Sequence, residues 1–299
     1  MGRRRNTEMP NLFVIGAMKS GTTSLHRYLD LHPEISMSLE KEPNFFVTSP
    51  PPDLAQQVAD RDAYLGLFRA GTPIRGEASH RYTQFPYVPG VPAEIAAVSP
   101  EARLIYLVRD PVARLESQAR EVLSARMGEA KYLPPDMPVS ELVGDLDDPA
   151  NRFVCLGRYM TQIRQYLEHF PRESLLVVDS DRLRSRRRDT MAKIFGFIGV
   201  DEEFWDDRMD VEHYTAEEKG RRSEGYVRLS EVGLLKTAVD RMPPRIKREV
   251  VRLARSGMSK PWTPPRLDDD LRFRLESLYR PEVEELREFT GQDFAGWSI

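Results

Sequence analysis

Asn11-Leu12-Phe13-Val14-Ile15-Gly16-Ala17-Met18-Lys19-Ser20-Gly21-Thr22-Thr23 joins a short apolar run to a glycine-bounded loop, and a helical spacing of Leu25, Tyr28 and Leu29 follows at once. A run that is apolar on both faces and stopped by glycine predicts a buried parallel strand over 11–15. The spacing predicts a helix from Thr22 to Leu31, ended by His32-Pro33 because a residue before proline is pushed out of the helical region. Strand, glycine loop and helix in that order make an anion site, where backbone N–H groups and a helix N-terminus converge on negative charge. The glycine spacing, G-x-x-x-x-G, is that of a nucleoside-triphosphatase loop. Thr22 stands where that motif needs lysine, and the lysine has moved inside the loop to Lys19. The anion expected there is a charged group other than a triphosphate with its magnesium ion. A tight turn that uses Gly and Thr for geometry alone is the bland alternative.

Further strands fit Glu34–Ser38 and Pro73–Ser79, separated by a proline-bearing loop (Ser49–Pro52) and a short helix near Tyr64–Phe68. Leu104–Val108 is five apolar residues ended abruptly by Arg109-Asp110-Pro111. Pro111 suits the first turn of a helix and Asp110 its N-cap, so a helix is expected to about Met127. One helix is predicted over Arg152–Phe170, a strand over Leu175–Val178 and a helix on to Gly199. Strands alternating with helices predict an α/β fold, a P-loop-like parallel sheet flanked by helices. After Asp201 no strand pattern remains, and Asp268–Thr290 reads as two helices split at Pro281. The expected organisation is a single domain over 1–299: a flexible N-terminus (1–10), an α/β core (11–200) and a mainly helical C-terminal extension (201–299).

The 299 residues carry 44 basic and 47 acidic side chains, a net charge of −3, so no bulk electrostatic attraction to nucleic acid is expected. A single cysteine, Cys155, excludes an intramolecular disulfide and any cysteine-based metal cluster. Five scattered histidines (His26, His32, His80, His169, His213) show no i,i+4 pair, so no metal is expected. The basic start, Met1–Asn6, is not followed by an apolar leader stretch, and nowhere do 18 apolar residues run together. A soluble, cytoplasmic chain without a membrane span is expected. Of the basic residues 36 are arginine and eight lysine, so the lysines inside motifs (Lys19, Lys41, Lys219) weigh more.

The segment Val14–Leu25, continuing to Leu31-His32-Pro33, resembles the 5′-phosphosulfate loop of the sulfotransferases that use 3′-phosphoadenosine 5′-phosphosulfate (PAPS), closest to the heparan-sulfate-type and related bacterial branch. The resemblance implies that Lys19 meets the bridging and sulfonate oxygens, that Gly21, Thr22, Thr23 and Ser24 hold the 5′-phosphate, and that Ser20 of the same loop binds the nucleotide as well. Arg109-Asp-Pro-Val-Ala-Arg-Leu-Glu-Ser117 is similar to the family's R-x-P-x-x-R-x-x-S, whose first Arg and last Ser hold the 3′-phosphate. Lys41-Glu42-Pro43-Asn44-Phe45-Phe46 resembles K-E-x-x-F-F, which implies Glu42 as catalytic base and Lys41 beside the sulfonate. Phe45 and Phe46 are expected to desolvate Glu42 in part, which raises a carboxylate's pKa. Gly76–Tyr82 is a looser match in which Ala78 and His80 replace lysine and proline, so His80 is a rival base and Glu77 a distant third. Lys219-Gly220-Arg221 resembles a loop that closes over the nucleotide. Gly157–Tyr159, Leu167–Pro171 and the ending from Tyr279 to Trp297 follow the branch as well.

The implied reaction is in-line transfer of a sulfonate from PAPS to a hydroxyl of a glycan, lipid or natural-product acceptor, leaving adenosine 3′,5′-bisphosphate. Loops around 47–70 and 125–150 would choose the acceptor. The alternative is a phosphoryl-transferring P-loop enzyme, for which Leu175–Asp179 offers a strand ending in a metal-binding Asp. Thr22 at the lysine position and the Arg109–Ser117 pair weigh against it. A non-catalytic nucleotide-binding scaffold is a third class, disfavoured by the presence of both Lys19 and Glu42. Oligomeric state is not legible.

Overall fold

The computed structural model describes residues 8–52, 54, 56–125, 137–210 and 266–299. In chain order the elements are β1 (Leu12–Gly16), α1 (Thr22–Asp30), β2 (Ile35–Met37), α2 (Arg61–Leu65), β3 (Ile74–Ala78), a 3₁₀ turn (His80–Thr83), α3 (Val91–Val98), β4 (Arg103–Val108), α4 (Pro111–Ala125), α5 (Val139–Val143), α6 (Arg152–Cys155), α7 (Tyr159–Leu167), β5 (Leu175–Asp179), α8 (Ser180–Ser185), α9 (Arg187–Ile198) and α10 (Asp269–Thr290). The five strands pair in parallel in the order β2-β3-β1-β4-β5. The alternation of strand and helix in the sequence thus becomes the expected parallel α/β sheet.

β1 is central, and all five of its residues are buried. Leu12 and Val14 join Leu25 and Leu29 of α1, Ile105 and Leu107 of β4, and Ile194 and Phe195 of α9 in one cluster. Each such side chain contributes about 1.5–3 kcal/mol by leaving water, so the sheet is held chiefly by this layer. Next to the cluster His32 lies between Phe195 and Phe204, with ring centroids 4.9 and 4.5 Å away. That is a structural role.

The residues divide into two compact units, one of 1–115, 143–213 and 269–299, the other of 116–142 and 214–268. The first holds the whole sheet; the described part of the second is residues 116–125 of α4, residues 137–142 with most of α5, and residues 266–268.

Three expectations are corrected. The predicted helix over Arg152–Phe170 is two, α6 and α7, separated at Leu156–Arg158. The cause is tertiary: Phe153 O accepts from Arg114 and Val154 O from the Tyr279 hydroxyl at 3.0 Å, so the last carbonyls of α6 are satisfied from outside the helix. Gly157 permits it, because a Cβ there would stand 2.8 Å from the Tyr279 ring. The helix predicted from β5 to Gly199 is also two, α8 and α9, broken where Arg186 leaves helical geometry (φ −131°, ψ 52°).

Conversely, Pro281 does not split the last helix: α10 runs unbroken through it. Proline removes one hydrogen bond, but Leu275, Tyr279, Val283 and Leu286 on both sides of it are all fully buried, and that packing outweighs the local preference. Helix α3 carries no strong signal in the sequence; it begins behind Gly90 (φ 82°) with Pro92 in its first turn.

Candidate active site

Parallel strands put all five carboxyl ends on one edge, where ligands of open α/β sheets bind, at the point where strand order reverses. β1 stands at that point, with β3 on one side and β4 on the other. The loops after β1, β2, β3 and β4 carry Lys19, Glu42, His80 and Arg109 respectively.

The loop after β1 is bound to the sheet by Ala17 N–H donating to Leu107 O at 2.6 Å. Lys19 takes a positive φ of 69° within it. No side chain caps the first turn of α1, which starts behind Gly21 (φ 92°). Ser20 is buried, and its Oγ has no hydrogen-bond partner among the described residues. Uncapped N–H groups beside an unpartnered buried hydroxyl fit a phosphate oxygen, which accepts from both.

Arg109 leaves β4 half-buried, and its Nη1 approaches Lys19 O at 3.5 Å, a long contact. Burial and then the charge of Arg184 pull its pKa down, opposed by Asp181. Arg184 carries no signal in the sequence, since the resemblance does not reach it. Asp110 is the predicted N-cap: its Oδ1 accepts from Val112 N–H and Ala113 N–H at 2.9 Å. Its other oxygen takes Ser298 N–H at 2.5 Å. Ser117 lies farther along α4, in the second unit. Lys219, Gly220 and Arg221 lie outside the described residues.

The loop after β2 is held in an uncommon backbone shape, with positive φ at Glu42 (63°) and Asn44 (51°). Glu42 N–H donates to Ala78 O at 3.1 Å, and Asn44 N–H to the Ser79 hydroxyl at 3.2 Å, so the end of β3 fixes it. The Asn44 amide also donates to Glu42 O (2.9 Å) and Gln56 O (3.0 Å). Glu42 Oε1 pairs with Lys41 Nζ. Its Oε2 accepts from His80 N–H at 2.9 Å and lies 2.8 Å from His80 Nδ1.

These contacts correct the expectation of a raised pKa. Burial does push the Glu42 carboxyl up, but His80 and Lys41 outweigh it and hold it at about 2. The aromatic pair packs on other rings: half-buried Phe45 stacks on Tyr64 at 4.1 Å and buried Phe46 meets Phe13 edge-on at 5.5 Å. His26 of α1 completes this group, its Nε2 3.1 Å from Ser38 O and its pKa lowered by burial and then by Lys41.

Glu77 of β3, like Asp179 at the end of β5, is instead a carboxyl that burial raises. It is fully buried, accepts from the Tyr64 and Tyr82 hydroxyls at 2.8 Å each and from Ser79 at 3.2 Å, and burial pushes its pKa up to about 7. Enclosure by these three hydroxyls removes it as a base toward an acceptor. Asp179, the metal-binding position of the kinase alternative, caps α8 by accepting Asp181 N–H at 3.0 Å.

Human heparan sulfate glucosamine 3-O-sulfotransferase 3B1 is 28% identical over 303 residues, which cover 97% of this chain and 65% of that protein. The human 3-O-sulfotransferase 6 is 29% identical over 301 residues, covering 99% of this chain and 75% of that protein. The chain thus spans a little under two thirds of the first of these relatives. A crystal structure of a sulfotransferase from Alicyclobacillus acidocaldarius has the same fold, with TM-score 0.67, 22% identity, and coverage of 98% of this chain and 100% of that one. A sequence profile of the sulfotransferase domain matches residues 9–290, and the chain belongs to that family.

Proposed function

We propose that this protein transfers the sulfonate of PAPS to a hydroxyl of a sugar-containing acceptor. The observation that carries the reading is the meeting of two motifs ninety positions apart: the Arg109 guanidinium reaches the carbonyl of Lys19 inside the β1–α1 loop. A nucleotide with phosphates at both ends needs cationic and amide donors at both ends, and these two motifs share one sheet edge. The Ser20–Ser24 stretch and the start of α1 would hold the 5′-phosphate. Arg109 would take the 3′-phosphate. Two guanidiniums whose charges oppose each other at Arg109 suit a dianion there, since bound negative charge relieves the repulsion. The glycan class of acceptor is supported by the 3-O-sulfotransferase relatives, which act on heparan sulfate glucosamine.

In the reaction the acceptor oxygen attacks sulfur in line and a new O–S bond forms. The bond from sulfur to the 5′-phosphate oxygen breaks, and its electron pair stays on the nucleotide. Lys19 opposes the charge that grows on that oxygen, and the acceptor proton leaves toward the Glu42–His80 pair.

The test is transfer of label from sulfate-labelled PAPS, against γ-labelled ATP, to a glucosamine-containing oligosaccharide. Label is expected only from PAPS. Adenosine 3′,5′-bisphosphate should bind about tenfold to a hundredfold more tightly than 5′-AMP, the worth of a charged contact, and Arg109→Ala should erase that preference. Equal binding of the two nucleotides by the native protein overturns the assignment.

A further inference from the structure

Glu42 has no oxygen left unengaged. Oε1 is held by Lys41, and Oε2 by both the backbone N–H and the ring Nδ1 of His80. An ionised carboxylate only accepts hydrogen bonds, so a 2.8 Å contact from its oxygen requires Nδ1 to carry the hydrogen. In the neutral ring that leaves the lone pair on Nε2. His80 is a quarter exposed, and its Nε2 makes no hydrogen bond among the described residues. The ring is therefore fixed at one nitrogen by a carboxylate and open at the other, the arrangement in which a carboxylate orients an imidazole base.

Its backbone is fixed too. His80 starts the 3₁₀ turn after β3, and Glu42 N–H is tied to Ala78 O of the same strand end, so both partners hang from one point. The sequence marks His80 only as a departure from the family pattern, where proline is usual.

Resting on the sulfotransferase reading above, we propose that His80 Nε2, rather than Glu42, takes the proton of the acceptor hydroxyl, with Glu42 as the positioning residue that fixes the ring. As the acceptor O–S bond forms, the acceptor O–H bond breaks and its proton passes to Nε2. The imidazolium so formed keeps its Nδ1–H on the Glu42 carboxylate, which stabilises the charge, and later gives the proton to water. The nucleotide leaves with the electron pair of the broken S–O bond. Lys41 neutralises the far side of Glu42, which keeps that carboxylate a weak competitor for the proton. The other titratable groups facing the pair are His26 on α1 and Glu77 on β3.

The experiment combines His80→Ala, His80→Gln and Glu42→Gln with ¹⁵N spectra of the histidine rings. In the native protein the His80 ring should be the Nδ1–H tautomer, and Glu42→Gln should abolish that preference. Both His80 variants should bind adenosine 3′,5′-bisphosphate as the native protein does, with kcat lowered by about 10²–10⁴-fold. Added imidazole should restore part of the His80→Ala rate, rising with the fraction of neutral imidazole; a merely structural histidine would give no such rescue.

If His80→Ala stays within about threefold of native turnover while Glu42→Gln is inactive, Glu42 is the base and the proposal falls. An Nε2–H tautomer in the native protein overturns it equally. Failure of the native protein to use PAPS at all would sink the sulfotransferase reading instead, and the ring spectra would then decide the Glu42–His80 arrangement by themselves.

Discussion

Lys19 sits inside the β1–α1 loop at a positive φ of 69°, with its carbonyl 3.5 Å from the Arg109 guanidinium. A cation aimed at a leaving oxygen lowers the barrier more than it aids ground-state binding. Lys19→Ala is expected to cut kcat by about 10²-fold with little change in affinity for adenosine 3′,5′-bisphosphate, read by steady-state kinetics and calorimetry. Unchanged turnover with a raised KM alone would make it a binding residue. The type and spacing of Glu42 were likewise readable in the sequence, but its electrostatics were set by His80, a residue 38 positions away.

Among the elements, the junction of β1 with its loop is the most constrained. Gly16 takes φ 154°, and a Cβ built there would lie 2.1 Å from Thr83 Oγ1, which itself donates to Ile15 O at 3.0 Å. That hydroxyl cannot give way without losing its bond to the strand. Gly16→Ala is thus expected to cost about 1–3 kcal/mol through overpacking, lowering Tm by several degrees, and to loosen nucleotide binding as the loop shifts. A calorimetric Tm within one degree of native would refute the steric account. The helices teach a related lesson. α6 and α7 part because Arg114 and Tyr279 claim carbonyls of α6, while α10 survives Pro281 because buried residues anchor both of its halves.

For the molecule as a whole, Glu77 sets a pH dependence. Its folded pKa is raised from the ordinary carboxyl value to about 7, so the fold binds more protons than the unfolded chain between roughly pH 4.5 and 7. Stability from this group is complete below about pH 4.5 and is lost as pH rises to 7. The shift corresponds to about 3 kcal/mol at most, at 1.36 kcal/mol per unit. Glu77→Gln keeps an acceptor for Tyr64 and Tyr82 but cannot ionise. Thermal melts at pH 5 and pH 8 should show native Tm falling and the variant's nearly level. Parallel curves for the two proteins would show that Glu77 does not titrate in this range. Glu42 works in the reverse sense, stabilising above its unfolded value and losing that contribution as pH falls toward 2.

Local pattern alone determined the alternating order of strands and helices, the glycine-bounded loop with its displaced Lys19, and the Asp110 cap, because each rests on residues within a few positions of one another. Periodicity of 2 or 3.6, a glycine stop and a capping side chain are short-range facts, each contained in one stretch of chain. Only the folded structure decided which strand lies beside which, where α6 ends, that α10 continues through Pro281, and which carboxyls are raised. Those outcomes depend on groups that the chain brings together from far apart: Tyr279 on Val154, Tyr64 and Tyr82 on Glu77, His80 on Glu42. A pKa or a helix end reports the sum of burial, charge and hydrogen bonding around it, and no local window of sequence contains those neighbours.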